Sequence, residues 1–143
     1  MFSNPTAYAG GAVNVSAQLC ALCYELPYLI RARIGGLLQV TALSIRTFRN
    51  GNSRVVVVVT DDAVYVVIRG TVFTSLKSWM VNLDFGKKQW MNGKVHAGFL
   101  QMHVQAKSFY MPIIRRQSNR DKQVLFLGHS QGGAIAYLSA VDR

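Results

Sequence analysis

The chain has 143 residues, 50% apolar and 15% charged, with a mean hydropathy of +0.19; that balance excludes intrinsic disorder, because there is enough apolar surface to build a core. No apolar run approaches the roughly 20 residues that a bilayer-spanning helix needs, so a soluble single domain over residues 1–143 is expected. Sixteen Lys and Arg against six Asp and Glu give a net charge of +10, which suits anionic lipid surfaces or nucleic acid. No zinc-finger spacing, aromatic RNA-binding signature or basic heptad helix accompanies the charge, so nucleic acid is not expected as a partner.

Residues 1–10 lack a basic segment followed by an apolar stretch and a small-residue cleavage site, and no secretory signal is expected. From Val13 to about Ile34, Val15, Leu19, Leu22, Cys23 and Leu26 fall at helical spacing until Pro27 interrupts them, which predicts a helix with a break. Within it Cys20 and Cys23 share a face. A zinc site built on them would be two ligands short, so they read as small core residues and no metal is expected. Thr41 to Phe48 is β-prone, and Asn50-Gly51-Asn52 punctuates it as a turn.

Arg54 to Thr60 and Ala63 to Arg69 are dense in β-branched residues and separated by Asp61-Asp62, which predicts an antiparallel hairpin. Their valine runs do not alternate with polar residues. Both faces should therefore be covered by further layers. A short amphipathic helix is expected near Ser75 to Leu83. Phe99, Met102, His103, Ala106, Phe109, Tyr110 and Ile113 then predict a longer helix that Pro112 bends or ends. On that helix His103 is most simply a surface residue. Basic residues cluster at Arg115, Arg116, Arg120 and Lys122, followed by an apolar strand, Gln123 to Leu127, a tight turn, Gly128 to Gly133, and a helix, Ala134 to Val141.

That turn contains Gly128-His129-Ser130-Gln131-Gly132, a G-x-S-x-G sequence between strand and helix. A turn this tight forces the serine into a strained backbone conformation with its hydroxyl thrust outward, and Gly128, Gly132 and Gly133 avoid collision. The following helix aims its N-terminal amides at the same place, so the N–H of Gln131 is suited to stabilise an oxyanion. Two rival readings stand beside this one. The plainer reading of Ser130 is a helix cap, and Gly-rich strand-to-helix turns also bind phosphate. The Lys-Ser/Thr ending of a P-loop and the G-x-G-x-x-G spacing are both missing, so no nucleotide cofactor is expected.

Four stretches in order, Val67 to Thr71, Trp79 to Phe85, Val95 to Phe99 and Leu127 to Ala134, resemble the class 3 lipases of fungal type within the α/β-hydrolases. The resemblance implies an α/β fold, a partial α/β-hydrolase with a mixed sheet and helices on both faces, its C-terminal strands missing. It implies Ser130 as the nucleophile that forms an acyl-enzyme on a lipid ester such as an acylglycerol. It also implies Thr71 as the second oxyanion-hole residue opposite Gln131, and a lid over residues 74–81 carrying Trp79. The plainer reading of Thr71 is a strand end, and of Trp79 a core residue. His96 matches a structural position of the family, and His129 points away from the serine.

The α/β-hydrolase triad runs Ser, then Asp or Glu, then His. The 13 residues after Ser130 contain no histidine and one acid, Asp142, which lies about 18 Å along the predicted helix and cannot orient a base at Ser130. The chain alone is therefore expected to be nearly inactive, as an incomplete lipase-like sequence. The alternative is a pseudoenzyme or non-catalytic module that binds lipid surfaces.

Overall fold

Successive side chains of a strand point to opposite faces, so an unbroken valine run requires packing partners on both. A computed structural model of the chain describes residues 5–41, 44–50, 53–70 and 86–143. Helices α1 (Pro5–Leu22) and α2 (Pro27–Leu38) precede strands β1 (Ile45–Asn50), β2 (Ser53–Val59) and β3 (Ala63–Ile68). Strands β4 (Lys87–Trp90) and β5 (Gly93–His96) lead into helix α3 (Ala97–Ile114), followed by a short 3-10 turn (Gln117–Asn119), strand β6 (Gln123–Gly128) and helix α4 (Gln131–Val141). The main sheet has the order β1-β2-β3-β6, with β4 and β5 forming a separate two-stranded sheet.

The expected hairpin is present: β2 and β3 pair antiparallel, with Val57 opposite Val66. β1 joins β2 antiparallel, and β6 joins β3 in parallel. The valines divide by parity, as the pleat demands. Val55, Val57, Val64, Val66 and Ile68 pack with Ala106, Tyr110 and Ile113 of α3 and Ile135 and Ala136 of α4. Val56, Val58 and Val67 pack on the opposite face with Leu19, Ile30 and Ile34 of the first two helices and Cys23 at the break between them. The result is a mixed sheet between two helical layers.

The helix break falls where Pro27 predicts it, although Pro27 opens α2 rather than ending α1: Leu26 is extended at φ −63°, ψ 143°, and a proline in a first turn forfeits no hydrogen bond. The carbonyls exposed at the break are met by the buried Arg54 guanidinium, which donates to Cys23 O at 3.0 Å and to Glu25 O. α1 starts well before Val13, because its Ala- and Gly-rich opening carries no apolar periodicity. α3 runs two residues past Pro112. The β4–β5 hairpin was not expected; Lys87-Lys88-Gln89-Trp90 lacks a β-branched run, and its pairing is supported by the Trp90 ring, which meets His103 of α3 edge-on at 6.0 Å. The helix expected near residues 75–83 lies outside the described residues.

His103 is not a surface residue. It is wholly buried between α3 and α4, because α4 satisfies both ring nitrogens: Nδ1 lies 3.1 Å from Ser139 Oγ and Nε2 2.7 Å from Asp142 Oδ2. A buried imidazole is tolerated when both nitrogens are bonded. Lys107 Nζ adds a 2.8 Å ion pair to the same carboxylate. Asp142 thus joins two helices, and Lys107, then His103, hold its carboxyl below the usual carboxylate range.

A depressed carboxyl stabilises the fold above its unfolded pKa of about 3.9, and that contribution is lost as pH falls through the folded value. Asp142→Asn is therefore expected to lower the thermal midpoint at neutral pH, with the gap to the wild type closing in acid below the unfolded pKa. Melting curves across pH check this; a gap indifferent to pH would remove the ion-pair account.

Candidate active site

In open α/β sheets ligands sit beyond the carboxyl ends of parallel strands, where loops and helix N-termini converge. The β3–β6 register pairs Ile68 with Gly128, so both strands end at the same level. Beyond Gly128 the chain turns through His129 and Ser130 directly into α4. Ser130 has φ 57° and ψ −128°, a region that costs about 1–3 kcal/mol for a residue with a side chain.

Contacts around the turn hold that conformation. Gly132 N–H donates to His129 O at 3.0 Å and Gly133 N–H to Ser130 O at 2.9 Å. A Cβ on Gly128 would stand 2.2 Å from the Gly132 carbonyl, and one on Gly132 would stand 2.1 Å from Ile68 O. The helix start is thus pressed against both strand ends with no room for a methyl group.

Ser130 is exposed, and although it occupies the N-cap of α4 its side chain makes no capping hydrogen bond. The cap reading therefore does not describe this hydroxyl. Gln131 opens α4 with its side chain buried, Nε2 donating to Met102 Sδ at 3.0 Å; its backbone stands at the positive end of the helix dipole. His129 is exposed and meets the Tyr24 ring edge-on at 6.4 Å. Thr71 and Trp79 lie outside the described residues. Gly70, the last residue described before Thr71, lies against the elbow: a Cβ there would be 2.4 Å from His129 O.

Tyr24 is the neighbour that sequence reasoning missed. Its phenol is hydrogen-bonded to the backbone of Gly70, its ring lies under Arg69 at 5.9 Å, and burial, only partly offset by the Gly70 bond, raises its pKa. Tyr24, Ala17, Cys20 and Ala21 of the α1 region, with Gly128 and His129, line a cleft of about 450 Å³ beside the turn. No spacing rule links residue 24 to residue 129, so only the fold brings them together.

The remaining histidines are engaged elsewhere. His96 Nδ1 accepts from Gly98 N–H at 3.1 Å and caps α3, and His103 closes on Ser139 and Asp142 as described above. Burial pushes the Cys23 thiol up to about 12 and raises Cys20, so neither supplies a thiolate at neutral pH. Among the described residues no group of three or more His, Cys, Asp or Glu is placed to hold a metal ion.

A mixed sheet covered by helices, with an exposed serine at a strained strand-to-helix turn, defines a hydrolase-type α/β domain. The sequence model of the family Lipase (class 3) matches residues 65–143, more than half of the chain, which therefore belongs to that family. A lipase of Rhizopus niveus is 34% identical over 84 residues, covering 55% of this chain and 21% of the relative. Among solved structures, the lipase from Rhizopus microsporus var. chinensis superposes with a TM-score of 0.70 at 25% identity, over 92% of this chain and 50% of that one. A triacylglycerol lipase whose catalytic centre is formed by a serine protease triad superposes with a TM-score of 0.64 at 21% identity, over 92% and 54% of the two chains. The chain thus matches about a fifth of the length of its curated relative and about half of each solved chain.

Gly132→Ala is expected to destabilise the fold by at least about 3 kcal/mol, because backbone must move to admit the methyl group. Gly36→Ala, on α2 with nothing within 4 Å of its added Cβ, should be neutral or stabilising by up to about 1 kcal/mol. Urea unfolding of the two variants tests the contrast, and equal effects would contradict the close approach at the elbow.

Proposed function

We propose that Ser130 is the nucleophile of a carboxylic ester hydrolase acting on acylglycerols or related lipid esters. The observation that carries this reading is an exposed hydroxyl, unused by its own helix, on a residue held at φ 57°. In the proposed reaction Ser130 Oγ attacks the ester carbonyl, its proton passes to a base, and the carbonyl oxygen becomes an oxyanion. The N–H of Gln131, with the N–H and hydroxyl of Thr71, receives that charge; each such donor is worth about 3–4 kcal/mol of barrier. Collapse expels the alcohol and leaves an acyl-enzyme, which water then hydrolyses. The segment carrying Trp79 is assigned to a lid that covers the serine in water, with an indole suited to the lipid boundary by its apolar body and polar edge.

The chemistry also needs a base and the acid that orients it. His96 and His103 are committed to structural bonds, and no His–Asp pair addresses Ser130 among the described residues. Loss of one triad member typically costs several powers of ten in rate, so the residues present here should turn over esters very slowly. The net charge of +10 favours one second reading, a non-catalytic module that holds to anionic lipid surfaces.

A fluorophosphonate probe reacts only with an activated serine. The protein expressed from its complete gene should be labelled at Ser130, and Ser130→Ala should abolish both labelling and hydrolysis of a short-chain p-nitrophenyl ester. Peptide mass mapping locates the adduct. A folded sample that stays unlabelled at Ser130 would remove the nucleophile assignment and leave the lipid-surface module.

A further inference from the structure

We infer that the β4–β5 hairpin is the surface by which this chain docks on an anionic lipid bilayer, with Lys87 and Lys94 against the headgroups and Met91 at the inserted tip. The strand register sets the faces: Lys87 pairs with His96 and Gln89 with Lys94, whereas Lys88 pairs with Val95 and Trp90 with Gly93. The second face is anchored, since Trp90 and Val95 are half-buried and the Trp90 ring meets His103 of α3. The first face, with Lys87, Gln89 and Lys94, is exposed, and Lys88 is exposed at the rim of the other. Residues 86–96 include no acid, and among the described residues none of these lysines forms an ion pair. At the turn Met91 stands at φ 48° with 54% of its surface exposed, an apolar tip framed by cations.

Position in the fold selects this patch over the other basic cluster. α3 ends at Ile114 and β6 begins at Gln123, so the C-terminal end of α3 lies near the start of β6. An 18-residue helix spans about 27 Å, which returns its N-terminus to the pole where β3 and β6 end. The hairpin enters α3 directly, because His96 is the last residue of β5 and the N-cap of the helix. Its base, where Lys87 pairs with His96, therefore stands toward the pole of Ser130. Arg115, Arg120 and Arg143 surround a cleft of about 390 Å³ with Met111 and Ile114, but these residues follow the ends of α3 and α4 at the opposite pole. A bilayer held there would face away from the serine. This choice of pole rests on the proposed role of Ser130; the binding measurement does not.

Each lysine at an anionic surface is worth about a fivefold gain in partitioning, lost as salt shortens the Debye length. The purified chain is mixed with vesicles of zwitterionic lipid, and with vesicles in which about a third of the lipid is phosphatidylserine, and sedimented. Binding is expected to the second and not the first, to weaken strongly as salt rises from about 0.05 to about 0.5 M, and to persist in Ser130→Ala. Lys87→Glu/Lys94→Glu should weaken it at least about 25-fold, Lys87→Gln/Lys94→Gln should fall between, and Met91→Asn should weaken it with charge kept. Arg115→Glu/Arg120→Glu removes as much positive charge as the lysine reversal and should change binding less than about twofold, with far-UV circular dichroism unchanged in every variant. Equal losses from the lysine and arginine reversals would mean attraction by net charge alone and would overturn the docking face, as would full binding by Lys87→Glu/Lys94→Glu. Failure of the catalytic reading shows separately, as absent Ser130 labelling with vesicle binding intact.

Discussion

The candidate site depends on one close approach: Gly132 lies against Ile68 O, and Gly128 against the Gly132 carbonyl, at separations that exclude a Cβ. The register that pairs Ile68 with Gly128 sets both strand ends at one height. The missing side chains then let α4 begin immediately above them. A start so near the sheet leaves only His129 and Ser130 to reverse the chain, and Ser130 takes the positive φ. The strain of about 1–3 kcal/mol is offset by the hydrogen bonds from Gly132, Gly133 and Ala134 that close the first turn. Those bonds use carbonyl oxygens of residues 129 and 130, which leaves the serine hydroxyl unspent.

The rest of the fold keeps that contact rigid. α4 touches the sheet through Ile135 and Ala136, and it is bound sideways to α3 at two levels, through Gln131 on Met102 and through Ser139 and Asp142 on His103 and Lys107. A helix held at both ends does not tilt about its N-terminus, so the dipole at Gln131 keeps its aim. The polar tie costs desolvation, but every partner in it is bonded. A half-satisfied version would be worse than an apolar one.

What was legible in the sequence follows from what is local. The β2–β3 hairpin, its burial on both faces, the strand before Gly128 and the helix after it are properties of contiguous residues: β-branched runs, a short polar turn and a Gly-rich corner. The elbow was legible because steric demand dictates composition at fixed spacing. His103 was misplaced because its burial depends on Ser139 and Asp142, 36 and 39 residues away, and a polar residue at helical spacing carries no sign of a distant partner. The β4–β5 hairpin was missed for a related reason, since its lysine-rich strands are supported from outside by α3. Tyr24 was illegible beside the elbow because a 104-residue loop of chain separates it from Gly128.

Locality also divides the proposed chemistry into two parts of different origin. Presentation of the nucleophile and of the Gln131 amide depends on residues 68–70 and 128–134, so this half of the machinery is complete once β3, β6 and α4 have assembled. Proton transfer is different. A base must reach Ser130 Oγ within about 3 Å, and His96 and His103 are fixed by bonds that would have to break for either to serve. Moving His103 would break its bonds to Ser139 and Asp142, leaving Asp142 only its Lys107 ion pair, at a cost of about 1–3 kcal/mol for each buried polar group left unbonded. The fold therefore has no inexpensive way to turn His96 or His103 into a base for Ser130.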